Sequence, residues 1–181
     1  MASEQVLDIP VRRHVLTSER PFPAVLDGIY DGISQPDIGA LFARLAASTS
    51  YEELSALVGQ AQGSAGLMRF LHLDLDTVLT LDPRADQAGR RLVRLIVGNP
   101  VTMGQMTRHL PDAGSYAPVT ILIQELVGGG TQVAYDTVTS AIAPYQNAAA
   151  AQVAQRLDTE VLTLLRHATG RPATARRPPA E

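Results

Sequence analysis

The amino-acid sequence predicts an α+β domain in which an antiparallel sheet carries helices on one face. Three observations lead to this fold class. Strand-like segments follow one another in the second half of the chain, three glycines at 128–130 separate two apolar runs, and a long amphipathic helix follows them. A parallel α/β fold would instead alternate single strands with single helices.

The predicted strands are short stretches of branched or alternating apolar residues. They cover residues 11–18, 67–75, 92–97, 119–126 and 131–135. The last two flank the glycines, so we expect them to pair as a hairpin. In the second strand, the alternation from Phe70 onward predicts that His72, Asp74 and Asp76 share a solvent-facing side.

The predicted helices are marked by apolar spacing and by capping residues. Apolar residues at helical spacing predict a first helix over 24–33. Asp37 is expected to cap the second helix, and Ser50 with Glu53 forms a capping box at the third. A short methionine-bearing helix is expected over 101–109. The long helix over 148–167 is alanine-rich and is expected to lie across the sheet.

Length and composition limit the domain organisation. A chain of 181 residues fits one domain with appendages. We expect an N-terminal extension at 1–10, a folded domain at 11–169, and a disordered tail at 170–181, which is rich in proline and arginine.

The composition also excludes several kinds of chemistry. The chain contains neither cysteine nor lysine, so thiol nucleophiles, cysteine-bound metals and Schiff bases are excluded. A net charge of −3 gives no basic surface for nucleic acid. We predict no membrane partner and a cytoplasmic location, because no secretory signal and no apolar run of spanning length occurs.

The richest motifs lie between Val97 and Asp136. They are a Gly-Asn-Pro turn, a helix with methionine and histidine, an Ala-Gly-x-Tyr-x-Pro turn and a Thr-x-Val-x-Tyr-Asp strand, here Gly98–Pro100, Met103 to His109, Ala113–Pro118 and Thr131–Asp136. In this order the motifs closely resemble the longer bacterial form of a family called domain of unknown function 302 (DUF302). The resemblance covers about residues 11 to 168, with Val138-Thr139-Ser140 where the family usually has Pro-Ser-Ser.

This resemblance implies a fold like that of the TATA-binding protein (TBP-like), with an antiparallel sheet, helices packed on it and a long C-terminal helix. It implies no reaction, because the activity of the family is largely unassigned. Haem binding has been associated with some members, so haem b is a possible cofactor by resemblance only.

Met103, Met106 and His109 are the first candidate ligand-binding residues. They recur at three-residue spacing, which places them on one helical face. Thioether sulfur and imidazole nitrogen both serve as axial ligands of haem iron, so His109 is the candidate metal ligand. The alternative is two methionines that fill a core beside a surface histidine.

Asn99, Tyr116 and Tyr135 complete the candidate ligand-binding set. Asn99 precedes Pro100, so it either caps the following helix or helps its N-terminus to bind an anion. The two tyrosines either line a pocket or pack between loop and sheet.

Three functions follow from these residues. The leading hypothesis is a small-ligand or haem-binding module that works as a homodimer. The first alternative is a cofactor-free hydrolase or isomerase that uses His109 with Tyr116. The second is a structural or interaction protein, in which replacing His109, Met106 and Tyr116 changes only stability.

Overall fold

The computed structural model describes residues 3–82, 84–85 and 89–170. Within these residues the chain forms six strands: β1 (Arg13–Ser18), β2 (Ile33–Ser34), β3 (Leu67–Asp74), β4 (Leu92–Gly98), β5 (Val119–Glu125) and β6 (Thr131–Asp136). It also forms seven α-helices: α1 (Phe22–Tyr30), α2 (Ile38–Ala47), α3 (Tyr51–Ala61), α4 (Asp76–Leu81), α5 (Pro100–Thr107), α6 (Val138–Ile142) and α7 (Ala148–Ala168). Two short 3-10 turns cover Pro111–Ser115 and Ala143–Tyr145.

The strands form one open sheet in the order β1-β6-β5-β4-β3-β2. All neighbours are antiparallel except β2 and β3, which are parallel over two residue pairs. The predicted α+β class is therefore confirmed, with a short parallel strand added at one edge. The predicted hairpin joins β5 and β6, and its three glycines all have positive φ, between 81° and 99°. Only glycine adopts this conformation without strain.

One face of the sheet forms the main core. Its side chains alternate with those of the opposite face, and they pack against α1, α5, α6 and α7; they include Leu16, Val93, Leu95, Val97, Ile121, Ile123 and Val133. Helix α7 supplies the largest share of the helical side, from Ala150 to Ala168. This arrangement confirms the predicted α+β class and the long C-terminal helix. Helices α2 and α3 form a separate small core with Met68.

The opposite face, which we call the open face, has half-buried or exposed side chains. Its central residues are paired across four strands: Leu73 with Arg94, Arg94 with Leu122, Leu122 with Ala134, and Ala134 with Val15. Leu71 and Val15 are 47% and 50% exposed. Apolar residues therefore remain in contact with solvent on this side of the sheet.

Strand β3 contains a β-bulge between Arg69 and Leu71. Because of the extra residue, Leu71 pairs with Ile96 on the open face, whereas His72 pairs with the fully buried Leu95. The prediction of a solvent-facing side is therefore wrong for His72, which is 22% exposed, whereas the side chain of Asp74 is 60% exposed. His72 and Asp74 lie on the helix-covered side, and Asp76 begins α4.

Several elements differ from the predicted ones. Helices α4 and α6 and strand β2 were not expected, because each is too short to show a clear period. Helix α5 ends at Thr107, two residues before the expected end at His109. The predicted disordered tail, apart from Gly170, lies outside the described residues.

Candidate functional site

Asn99 is placed between β4 and α5 and acts as a helix cap. Its Oδ1 accepts hydrogen bonds from the backbone nitrogens of Val101 and Thr102, at 2.9 and 3.3 Å. Its Nδ2 donates to Gln62 Oε1 at 2.7 Å and to the carbonyl of Gly66 at 2.9 Å. All polar atoms of the side chain thus have protein partners, which supports the capping interpretation of Asn99.

The structure separates the methionines from His109. Met106 is fully buried in the main core, and Met103 is half-buried against it. Met103 also lines a small apolar cavity of about 130 Å³ with Phe42, Phe70 and Pro118. His109 lies beyond the end of α5 and is exposed, so the expected common helical face does not extend to it.

His109 has only local partners in the described part of the chain. Arg108 Nε donates to His109 Nε2 at 3.1 Å, and Asn147 Nδ2 donates to the backbone carbonyl of His109 at 2.8 Å. The imidazole lines none of the cavities described below, and Met106 is enclosed by apolar side chains. The structure therefore places Met106 and His109 in different surroundings, one buried in the core and the other exposed.

Tyr135 is buried and joins three elements through a carboxylate. Its hydroxyl donates to Asp158 Oδ1 at 2.6 Å. The same carboxylate accepts from the backbone nitrogens of Val138 and Thr139 at 2.9 and 3.0 Å, which caps α6. Burial, together with the negative charge of Asp158, raises the pKa of Tyr135 far above its usual value. Tyr135 therefore has a structural role linking β6, α6 and α7.

Tyr116 lies on the 3-10 turn region and pairs with another tyrosine. Its hydroxyl is 3.2 Å from that of Tyr145, and the rings are 6.4 Å apart at 63°. The hydrogen bond with Tyr116 raises the pKa of Tyr145 to about 12. Tyr116 and His109 are not hydrogen-bonded to each other in the described chain, so the structure does not assemble the pair expected for the hydrolase or isomerase alternative.

A larger cavity, which we call the sheet-face cavity, opens beside the central strands. It has a volume of about 480 Å³. Its polar lining comes from β1, β4, β5, β6 and the segments before β5 and after β6, and it includes two of the predicted ligand-binding residues, Tyr116 and Tyr135: Arg13, Arg94, Ser115, Tyr116, Thr120, Tyr135, Asp136 and Thr137. Its apolar walls include Val11, Leu75, Pro118, Leu122 and Ala134. This volume lies within the range of small-molecule sites.

The sheet-face cavity has two arginines and one aspartate in its lining, so positive charge is in excess. Arg13 forms a two-pronged ion pair with Asp136, with both N···O distances at 2.7 Å, and this lowers the pKa of Asp136. Arg94 contacts the hydroxyl of Thr120 at 3.3 Å and has no carboxylate partner among the described residues. The guanidinium has five donors, so most of its hydrogen-bonding capacity faces the cavity or water.

Sequence reasoning missed Arg94 as a candidate. It is one of 15 basic residues in the sequence. The alternation of apolar and polar residues in β4 indicates only that its side chain faces solvent. The available signal was its alternation with the buried Val93 and Leu95, which places it on the face opposite the core.

Metal and membrane features are limited in the part of the chain that the structure describes. There, no group of three or more histidine and acidic side chains is arranged to hold a metal ion. Among the same residues, no helix has both the length and the apolar character needed to cross a bilayer.

Comparisons with known proteins agree with this fold. A search of the curated proteins finds no match. The crystal structure of an uncharacterized conserved DUF302 protein from Bacillus stearothermophilus is similar, with a TM-score of 0.58 and 11% sequence identity. The similarity covers 86% of this chain and 97% of that one, and at this identity it concerns the fold. The model of the family named domain of unknown function DUF302 matches residues 44–166, and the chain therefore belongs to the DUF302 family.

Proposed function

We propose that the protein binds a small anionic molecule with an apolar body in the sheet-face cavity. The observation that carries the proposal is Arg94, a cation on the cavity wall without a carboxylate partner in the described chain. Arg13 and Asp136 compensate each other, so these three side chains leave one positive charge. A planar carboxylate is the group that a guanidinium binds best with two hydrogen bonds.

The apolar lining of the cavity indicates that the part of the ligand away from its charged group is hydrophobic. Leu75, Leu122 and Ala134 offer aliphatic surface, and Tyr116 adds a ring with a hydroxyl. A hydrophobic carboxylate of modest size matches both the volume and the single excess charge.

Calorimetric titration with a panel of aliphatic and aromatic carboxylates tests the proposal, with the matching alcohols as neutral analogues. We expect at least one carboxylate to bind and its alcohol to bind at least about tenfold more weakly, since a charged hydrogen bond is lost. Arg94→Gln should reduce carboxylate affinity by a similar factor. Arg44→Gln, on the exposed end of α2, is the matched control and should leave affinity unchanged.

Two results would contradict this function. One is the absence of binding by every carboxylate in the panel; the other is binding that Arg94→Gln leaves unchanged. Hemin is titrated in the same series: a saturable Soret band that His109→Ala removes would support the haem hypothesis instead.

We also propose that the protein forms a homodimer through the open face, where the second copy would cover Arg94 and the sheet-face cavity, so that the ligand would be enclosed between the two copies. Five long strands at about 4.8 Å spacing and six residues at about 3.3 Å each give a face of about 500 Å². Two such faces bury about 1,000 Å² together, which is the lower limit for a specific interface. Leu71 and Val15 are exposed at its two sides, where a second copy would cover them.

Light scattering coupled to size-exclusion chromatography tests the homodimer. We expect a dimer for the natural sequence and a monomer for Leu71→Arg, because a charge introduced where the second copy covers an apolar side chain is costly to desolvate. Val127→Arg is the matched control, since Val127 is exposed in the β5–β6 loop rather than on the sheet. A monomeric natural protein at high concentration would refute the dimer.

A further inference from the structure

A chain of polar side chains lies at the β3 edge of the sheet, away from the sheet-face cavity. Tyr30 is the last residue of α1, and its hydroxyl is hydrogen-bonded to Nδ1 of His72. Nε2 of His72 lies 2.9 Å from Oδ1 of Asp74. Arg69 Nη1 donates to the same tyrosine hydroxyl at 3.3 Å. We call this set the Tyr30 relay.

The β-bulge in β3 is what assembles the Tyr30 relay. Arg69 pairs with Val97 and His72 pairs with Leu95, and both partners are fully buried on the helix-covered face. In a regular strand, residues three positions apart point to opposite faces. The extra residue at the bulge places Arg69 and His72 on the same face, next to the end of α1. Bulges of this kind commonly redirect side chains next to active sites.

The hydrogen-bond partners of His72 indicate which of its two ring nitrogens carries a hydrogen. The carboxylate of Asp74 is an acceptor, so Nε2 of His72 carries the hydrogen and Nδ1 presents its lone pair. That lone pair accepts the phenolic hydrogen of Tyr30. Arg69 places its guanidinium 5.5 Å from the centre of the Tyr30 ring and donates to the phenolic oxygen. A nucleophile, a base and a group that orients the base are therefore in line.

We propose that Tyr30 is an activated nucleophile toward acyl esters, with His72 as its general base and Asp74 as a positioning residue. The phenolic oxygen of Tyr30 attacks the ester carbonyl, and a new C–O bond forms while Nδ1 of His72 takes the phenolic proton. The original ester C–O bond then breaks, and the leaving oxygen carries away the bonding pair. The proton returns from His72 to the leaving group, and Tyr30 retains the acyl group.

The site is open enough for a small ester. The side chain of His72 is 22% exposed and that of Asp74 is 60% exposed, and Tyr30 is half-buried. The positive charge of Arg69 lies where the phenolic oxygen becomes negative as its proton leaves. These features distinguish Tyr30 from Tyr51, which is more exposed, at 60%, and has no hydrogen-bonded base among the described residues.

Acetylation by p-nitrophenyl acetate, followed by mass spectrometry of the digested chain, tests the proposal. The sequence has no lysine and no cysteine, so two common competing nucleophiles, the ε-amine and the thiol, are absent, and the mass spectra distinguish acetylation at tyrosine from acetylation at the four histidines. We expect Tyr30 to be acetylated at least about tenfold faster than the control Tyr51, as general-base assistance of this kind contributes that much or more. His72→Gln should lower the rate at Tyr30 to that at Tyr51, and Asp74→Asn should lower it several-fold.

Acetylation that follows exposure, with Tyr51 modified first, would overturn the proposal. So would a Tyr30 rate that His72→Gln and Asp74→Asn both leave unchanged. The rate at Tyr51 in each variant controls for loss of fold, since unfolding would raise it. Asp74 is largely exposed, so Asp74→Asn keeps the test informative even where His72→Gln is unstable.

Discussion

The hydroxyls of two tyrosines of this protein are hydrogen-bonded to neighbouring side chains, in opposite surroundings. Tyr135 donates to the buried Asp158, whose carboxylate also holds two backbone nitrogens of α6. The hydroxyl of Tyr30 is hydrogen-bonded to Nδ1 of His72, whose other nitrogen is hydrogen-bonded to the exposed Asp74, and the proposal assigns the hydrogen of the first bond to Tyr30. In the first arrangement both carboxylate oxygens of Asp158 have protein donors and the group is buried. The second leaves its groups in reach of solvent, which is why the proposed chemistry is assigned to Tyr30 and not to Tyr135.

The largest expected effect is on the buried side of this comparison. Asp158→Ala removes the acceptor of Tyr135, Val138 and Thr139 at once and leaves buried donors without partners. We expect a loss of about 3–5 kcal/mol in the free energy of unfolding. Urea denaturation measures it. A loss below about 1 kcal/mol would mean that water replaces the carboxylate and that the link is not structural.

Removing one hydroxyl at a time compares the two tyrosines directly. Tyr135→Phe is expected to cost about 1.5–3 kcal/mol in unfolding free energy, because a hydrogen bond to a buried charge is lost. Tyr30→Phe should cost less than about 1 kcal/mol, since water can bind His72 instead. Equal losses in the two denaturation curves would show that burial does not distinguish the two tyrosines.

Alkaline pH tests the contribution of the buried Tyr135 through its ionisation. The pKa of Tyr135 is raised in the folded protein, so its stabilising contribution is complete below the unfolded pKa near 10 and is lost as the pH rises above it. We expect the free energy of unfolding to fall above pH 10 by up to about 1.4 kcal/mol per pH unit from this group. Denaturation between pH 9 and 11 should show a smaller slope in Tyr135→Phe than in the natural protein.

A smaller effect than at Asp158 is expected at Asn99, which holds a helix end rather than a buried charge. Asn99→Ala removes the cap of α5 and the bonds to Gln62 and Gly66, at a cost of about 1–2 kcal/mol. Asn99→Asp keeps the capping oxygen and should recover part of the loss. Thermal unfolding of both variants measures the difference. An aspartate no better than alanine would mean that the Nδ2 bonds dominate.

Local signals in the sequence predicted a substantial part of this fold. Asp37 and Ser50 cap the helices that they were expected to cap, at 2.9 and 3.1 Å from the nitrogens of Ala40 and Glu53. These contacts span three residues, so a single sequence contains them in full. The carboxylate of Glu53 differs in detail, because it accepts from the backbone of Thr49 rather than from Ser50.

The candidate site could be predicted less well, because its contacts join distant residues. Arg13 and Asp136 are 123 positions apart, and Tyr135 and Asp158 are 23 apart. The bulge in β3 also could not be predicted, because it exists only in the pairing of β3 with β4. It places His72 on the face opposite to the one that the alternation of the sequence predicts. Met106 and Tyr135 are candidate ligand-binding residues by sequence, but both are buried. Their burial results from the packing of helices on the sheet, which the sequence near them does not show.

The position of β1 at the edge of the sheet affects how the protein is made on the ribosome. Arg13 pairs with Asp136, so 123 further residues must be synthesised after Arg13 before β1 can pair with β6. At about 5–20 residues per second, this delay lasts about 6 to 25 s. During that time an unpaired strand is prone to join other chains. Arg12 and Arg13 place two positive charges at its start, and charges at this position oppose the pairing of an edge strand with another chain.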